Sequence, residues 1–238
     1  MDNEMMINKI SENVPFQKHE VEEYERKRYR GLDQRIVHGR EMRILRKILR
    51  RVQLNGQKGE AESHRALDIP CGYGRFSRLL QEFGFFLVNS DLSFHMVKRA
   101  EEKNPVAKQK AGVVADAKQG LPFKGRAFSV LLSMRFFHHL HEKEDREAIL
   151  KEFYRVTSGW VVLSYYQRNW FHILQRKVRK RIMKKKTRIK MIPRREFSEE
   201  VRTAGFKMDK VFPVFRGIHS HHIVLLRKQG SHLNIRHF

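Results

Sequence analysis

Three aspartates, Asp68, Asp91 and Asp116, each stand at the end of a short apolar run, and Gly72 and Gly74 follow closely on the first. An ionised carboxylate accepts hydrogen bonds and favours a cation. Glycine lets a backbone turn tightly and approach a ligand closely. Together they describe a small-molecule site, and a dinucleotide is the first ligand to test. Its fingerprint, G-x-G-x-x-G, needs a third glycine for close packing of helix on strand. Gly72-Tyr73-Gly74-Arg75-Phe76-Ser77 offers serine there. Asp91 follows Gly74 by 17 residues, a spacing that does not discriminate, and no G-x-x-x-x-G-K-[ST] phosphate loop is present. A pyrophosphate would also meet the negative charge of Asp68, which suits a ligand positively charged at that point. The single cysteine, Cys71, excludes a disulfide framework and a cysteine-based zinc site. With no His or Asn partner nearby in sequence it reads as a small turn residue, not a nucleophile. His138, His139 and His141 have no acid or cysteine at ligand spacing, so no metal is expected.

The elements that must position these residues alternate. Arg65–Ile69 reads as a buried strand, Pro70–Gly74 as a tight turn, and Phe76, Leu79, Leu80 and Phe83 as a helical stripe ended by Gly84. Phe85–Asn89 is a strand ending at Asp91, followed by a helix with Ser93 as N-cap and Met96, Val97 and Ala100 inward. Strands at Gly112–Ala115 and Phe128–Leu132 end at Asp116 and Ser133. A helix at Glu144–Val156, a strand at Trp160–Tyr166, a helix at Phe197–Ala204 and two strands near Met208–Phe212 and His222–Leu226 complete the order. Ahead of them, Val21–Arg30 and Glu41–Val52 read as helices. The expectation is an α/β fold: a doubly wound, mostly parallel sheet with an antiparallel C-terminal hairpin at one edge. Ligands of such sheets sit beyond the carboxyl ends of the strands, where the three acids fall.

Leu67-Asp68-Ile69-Pro70-Cys71-Gly72-Tyr73-Gly74 resembles the first motif, D-x-G-x-G-x-G, of class I S-adenosylmethionine-dependent methyltransferases, departing from it at Pro70. Asn89-Ser90-Asp91-Leu92-Ser93 is similar to the family's second-strand acid, and Ala115-Asp116-Ala117 with Leu121-Pro122-Phe123 to its third-strand segment. Ser129–His139 with Ala148–Val156 is similar to its fourth strand and following helix, and Ala204-Gly205-Phe206 to the approach to its sixth strand. The resemblance spans about residues 64–228. It implies S-adenosyl-L-methionine as cofactor, with Asp68 toward the cationic methionine end, Gly72 and Gly74 giving room and N–H donors, and Asp91 with Leu92 at the ribose. Asp116 and Ala117 would then take the adenine and Ser133 the end of the fourth strand. Arg75 is a candidate for the cofactor's carboxylate, or else a surface cation. His138 is a candidate general base, and His139, Tyr165, Tyr166 and Trp170 are acceptor-side candidates. The tyrosines could equally pack under the segment that follows them.

Charge bears on the acceptor. The 238 residues hold 50 Lys+Arg against 26 Asp+Glu, a formal +24. Thirteen of those bases, with no acid, lie between Arg168 and Arg195, where Trp170, Leu174, Val178 and Ile182 form a narrow apolar stripe. Such a helix suits RNA phosphates or an anionic lipid surface; a solvated lid is the third reading. A second basic group, Arg26–Arg30 with Arg40, Arg43 and Arg46, favours RNA, but no RNA-binding module is recognisable. No basic stretch followed by an apolar run opens the chain, and no apolar stretch approaches the ~18–20 residues that span a bilayer. The expectation is a cytoplasmic protein, peripheral on the inner face of a membrane if lipid is its partner. It would be organised as an N-terminal helical extension (1–63), a methyltransferase domain with the basic insertion (64–228, insertion about 168–195) and a short tail (229–238). A catalytically inactive RNA- or membrane-binding protein of the same fold is the alternative, against which the intact acids and glycines speak.

Overall fold

The computed structural model describes residues 17–28, 31–55, 64–103, 110–168, 189–215 and 220–229. Trp170 and most of the basic segment lie outside them. Helices α1 (Lys18–Arg28) and α2 (Leu32–Asn55) precede β1 (Arg65–Asp68), α3 (Ser77–Glu82), β2 (Phe86–Asp91), α4 (Phe94–Glu102) and β3 (Lys110–Val114). Then come β4 (Phe128–Ser133), a 3-10 turn at Phe137–His139, α5 (Lys143–Val156), β5 (Thr157–Tyr166), α6 (Arg194–Thr203), β6 (Phe206–Pro213) and β7 (His221–Lys228). The seven strands form one sheet in the order β3-β2-β1-β4-β5-β7-β6. The first five are parallel, and β7 runs antiparallel to both β5 and β6. The fold is the Rossmann-like sheet that the alternation of strands and helices implies.

The period of two along each strand divides the core between the two faces. Leu131, Val161 and Leu163 face one side, where Phe137 and Phe153 pack; Val130, Leu132 and Val162 face the other, where α2 buries Leu45, Ile48, Leu49 and Val52. Helix α2 is therefore a layer of the core. It starts nine residues before the apolar periodicity at Glu41–Val52 does; its first half packs Val37 against the core beside the polar His38 and the buried Glu41. Helix α6 likewise begins ahead of its first apolar residue, in the charged turn Arg194-Arg195-Glu196. That turn helps to neutralise a buried cation. Arg146 of α5, fully buried, reaches Glu196 at 2.8 Å and holds both carboxylate oxygens of Glu200.

Helix α4 folds as its sequence directs. Met96, Val97 and Ala100 are buried, and the Ser93 hydroxyl accepts the Met96 N–H at 3.3 Å. Ser93→Ala is expected to lower stability by ~1 kcal/mol through loss of this cap. Thermal unfolding should show it as a drop of about 2–4 °C.

Candidate active site

The turn after β1 is assembled by its own backbone. Ile69 N–H donates to Leu132 of β4 at 2.9 Å, and Cys71 N–H to Ser90 of β2 at 2.8 Å. Ile69–Pro70 is a cis peptide. Gly72 and Gly74 both have positive φ, 53° and 75°, a region that bulky residues avoid. They are needed for different reasons. A Cβ on Gly74 would lie 2.8 Å from the Ala100 Cα, so this glycine lets α4 pack against the turn. A Cβ on Gly72 would meet nothing within 4 Å, so this one borders open space.

Two acids frame that space. Asp91, at the end of β2, accepts the Gly72 N–H at 2.9 Å and the Ser93 N–H at 3.0 Å, tying the turn to the start of α4. Burial raises its carboxyl above the ordinary value, against the pull of the Ser93, Gly72 and Leu92 N–H groups. Asp68 is only 1% exposed, and neither of its oxygens has a hydrogen-bond partner. Burial, and then the charge of Asp91, push it well above the usual carboxylate range. A buried carboxyl without a partner is costly, and such groups concentrate at sites where a ligand supplies the missing charge. The Cys71 thiol is also pushed well up, by burial and then by Asp91 and Asp68. It is therefore held as a thiol, which suits a packing role.

The other sequence candidates fall as follows. Asp116 lies at the end of β3 but uses its carboxylate locally, accepting from Lys118 N–H at 2.9 Å and from the Gln119 amide at 3.3 Å. Ala117 is buried beside it, Leu92 is 43% exposed at the end of β2, and the Ser133 hydroxyl is buried at the end of β4 without a hydrogen-bond partner. Helix α1 comes down over the turn: Val21 packs with Tyr73 and Met96, the Tyr24 ring meets Tyr73 edge-on at 6.1 Å, and Glu25 pairs with Arg99 at 2.9 Å.

The two tyrosines of β5 separate. Tyr165 is fully buried, stacked on Phe197 at 4.1 Å, with its hydroxyl on Gln167 at 2.9 Å. Burial raises its phenol to about 12. It packs under Phe197 of α6, so of the two places open to it in the sequence, acceptor side or packing, it takes a packing position. Tyr166 points the other way, stacked on His221 at 4.9 Å and edge-on to His138 at 5.0 Å; His138 and His139 lie with ring centroids 4.0 Å apart.

Beside this aromatic group lies a charge cluster that sequence reasoning missed. Glu41 of α2, fully buried, accepts from Arg135 Nε at 2.9 Å through one oxygen and from Arg75 Nη2 through the other. Arg75 also donates to His38 Nδ1 at 3.1 Å, so it turns toward α2. Arg135 follows β4 and holds φ at 57°. Its backbone N–H donates to the Ser164 hydroxyl at 2.7 Å. One signal was present: Glu41 is the only acid between Asp33 and Glu60, a stretch with eight Lys and Arg. Among the described residues, no group of three or more His, Cys, Asp or Glu is placed to hold a metal ion.

The family described as "Methyltransferase domain" matches residues 67–163, from inside β1 to inside β5. Residues 67–163 are thus similar to a methyltransferase domain. Over 106 residues it is 32% identical to a malonyl-[acyl-carrier protein] O-methyltransferase of Hamiltonella defensa, a match that covers 44% of this chain and 38% of that protein. The chain thus spans well under half the length of this curated relative. The magnesium protoporphyrin IX methyltransferase of Synechocystis PCC 6803, solved with S-adenosylhomocysteine, superposes with a TM-score of 0.69 at 17% identity, covering 89% of this chain and all of that one. A methyltransferase of Methanosarcina mazei gives 0.60 at 20% identity, covering 74% and 96%. The Synechocystis enzyme has been solved with S-adenosylhomocysteine and with S-adenosylmethionine bound. The site fits that cofactor: Asp68 is a buried, unpartnered carboxyl that a cationic ligand would ionise, and a Cβ on Gly72 would meet open space.

Proposed function

We propose that the protein transfers the methyl group of S-adenosyl-L-methionine to an anionic acceptor. The observation that carries this reading is Asp68, buried and without a hydrogen-bond partner at the edge of the Gly72–Gly74 turn. When bound, the cofactor supplies a methyl group already activated by its sulfonium. What remains for the chain is to hold and orient. Asp68 offsets the charge of the cofactor's ammonium. Asp91, with one lone pair on each oxygen engaged by backbone N–H groups, keeps others for two ribose hydroxyls. Tyr73 of the same turn is buried against Val21, Met96 and Tyr24.

The acceptor's anionic character is supported by charge on the described surface. On α2, Ile36 (57% exposed) and Leu54 (80% exposed) flank Arg40, Arg43, Lys47 and Arg50 along one face. Cations between exposed apolar residues suit an anionic lipid surface better than bare phosphate. The triple variant Arg43→Gln, Lys47→Gln, Arg50→Gln is expected to lose most of its flotation with vesicles containing phosphatidylserine. Undiminished flotation would remove α2 from the partner surface, and equal loss of binding to a single-stranded RNA would move the reading to RNA.

The function itself is tested by titrating S-adenosyl-L-methionine into the protein by calorimetry, then incubating the protein with methyl-labelled cofactor and fractionated cell extract. Binding followed by label in an acceptor fraction is the expected result. Failure to bind the cofactor would leave a binding module that has kept the fold.

A further inference from the structure

We propose that α1 is a lid on the cofactor site, latched by Glu25 on Arg99 and Lys103, and that its opening sets the rate at which the cofactor enters and leaves. The proposal rests on the methyltransferase reading above and adds how that same site is loaded. Three observations point to it.

The first is enclosure. Asp68, the group proposed to meet the cofactor's ammonium, is only 1% exposed, although a Cβ on Gly72 would meet open space. A site shut around the group that recognises its ligand must open to admit it. On the sheet side the turn is fixed: the Ile69 N–H donates to β4, the Cys71 N–H to β2, and Gly74 lies against Ala100 of α4. On the other side Tyr73, which stands between the two glycines, is buried against α1.

The second is the composition of α1. Eight of its 11 residues are Lys, Arg or Glu, and Val21 and Tyr24 are the only apolar or aromatic side chains apart from His19. A helix this short is marginal by itself, and this one has little apolar surface to bury. Helix α2, by contrast, buries Leu45, Ile48, Leu49 and Val52 in the core. Segments with so small an apolar anchor open ahead of the core. The Gln17 N–H donates to the Glu20 carboxylate at 2.7 Å, a local closure of the helix start that travels with the helix when it moves.

The third is the latch. Glu25 accepts from Arg99 Nε at 2.9 Å through one oxygen and pairs with Lys103 through the other. Both cations belong to or directly follow α4, the helix whose start is tied to Asp91. The Lys103 ammonium also lies 4.4 Å from the centre of the Tyr73 ring, so one cation joins the lid to the cofactor turn. Partial burial raises the Glu25 carboxyl, but Lys103 and Arg99 outweigh it and hold the group below its ordinary value. Ion pairs of this kind break and re-form without exposing a core.

A lid that touches neither Asp68 nor Asp91 has a distinct kinetic signature. Loosening it favours the open form equally with and without cofactor, so both rates rise and the affinity stays where it was.

The test is surface plasmon resonance of S-adenosyl-L-methionine on the immobilised full chain. Loss of a partly exposed ion pair corresponds to a change of roughly five-fold. In Glu25→Gln, association and dissociation should both speed up by about that factor, with Kd within about two-fold of wild type. Adding Arg99→Gln to Glu25→Gln should bring little further change, because the pair is already broken. Hydrogen exchange gives a second readout: amides of α1 should exchange faster in Glu25→Gln, and those of β4 and β5 should not change. Unaltered rates in Glu25→Gln, a weaker affinity with unaltered association, or α1 amides that exchange only together with the sheet would overturn the proposal. If the wild-type protein binds no cofactor, the methyltransferase reading and the lid fall together. Normal binding with unaltered rates in the variant removes the lid alone.

Discussion

Replacing Asp68 with asparagine is expected to abolish binding of S-adenosyl-L-methionine and, in the same protein, to raise the melting temperature of the cofactor-free form. The loss follows from removing the buried carboxyl proposed to face the cofactor's cationic end. A charge-assisted contact of about 3 kcal/mol corresponds to roughly a hundred-fold in affinity. The gain follows from the carboxyl's environment. Burial, and then Asp91, raise the folded-state pKa of Asp68 well above its unfolded value. Its contribution to stability is therefore complete in acid, below the unfolded value, and is lost as pH rises through the raised folded value. The wild-type melting temperature should fall over that window relative to Asp68→Asn, and the two proteins should converge in acid. Cofactor affinity should move the opposite way in the wild type, strengthening as pH rises and Asp68 ionises. A variant no more stable than wild type at alkaline pH, or one that binds the cofactor normally, would show that Asp68 is not the ligand's counter-charge.

Asp91→Ala carries a second large effect, of different character. The carboxylate anchors the Gly72 and Ser93 N–H groups, and on the ligand side it is the acceptor proposed for two hydroxyls. Two hydrogen bonds to a charged group, at ~1.5–3 kcal/mol each, imply a loss of at least about 100-fold in cofactor affinity. Stability should fall too, because two N–H groups lose their partner, at ~1–3 kcal/mol for each that stays buried and unpaired. The two aspartates thus part company in a melting experiment: both variants lose the cofactor, one becomes more stable and the other less. Near-normal calorimetric affinity for Asp91→Ala would sink the ribose assignment.

Much of this architecture was legible because its signals are local. Asp68, Asp91 and Asp116 end strands whose apolar runs are short and bounded, and Ser93 sits one residue ahead of the helix it caps. The order of strands and helices led directly to the parallel sheet with its antiparallel edge. What the sequence concealed depends on contacts far along the chain. Glu41 looks like an ordinary surface acid until α2 is laid across the strand ends, bringing it to Arg135 94 residues away. Arg135 itself looks like one base among fifty. Tyr165 and Tyr166 are adjacent and chemically alike; only the face each takes in β5 decides that one is core and the other stacks on His221. The start of α2 was hidden for a related reason: Val37 packs inward there between polar neighbours, His38 and Glu41, so no apolar repeat forms.

The order of strands in the sheet divides the labour between two halves. Every residue assigned to the cofactor's methionine and ribose ends comes from β1, β2 and the segments just after them. The acceptor-side candidates His138, His139 and Tyr166 stand after β4 or at the end of β5. Such a protein can be re-specified by grafting. A chimaera that exchanges Leu32–Asn55 together with the loop after β4 for those of another methyltransferase should keep its grip on the cofactor while its choice of acceptor changes.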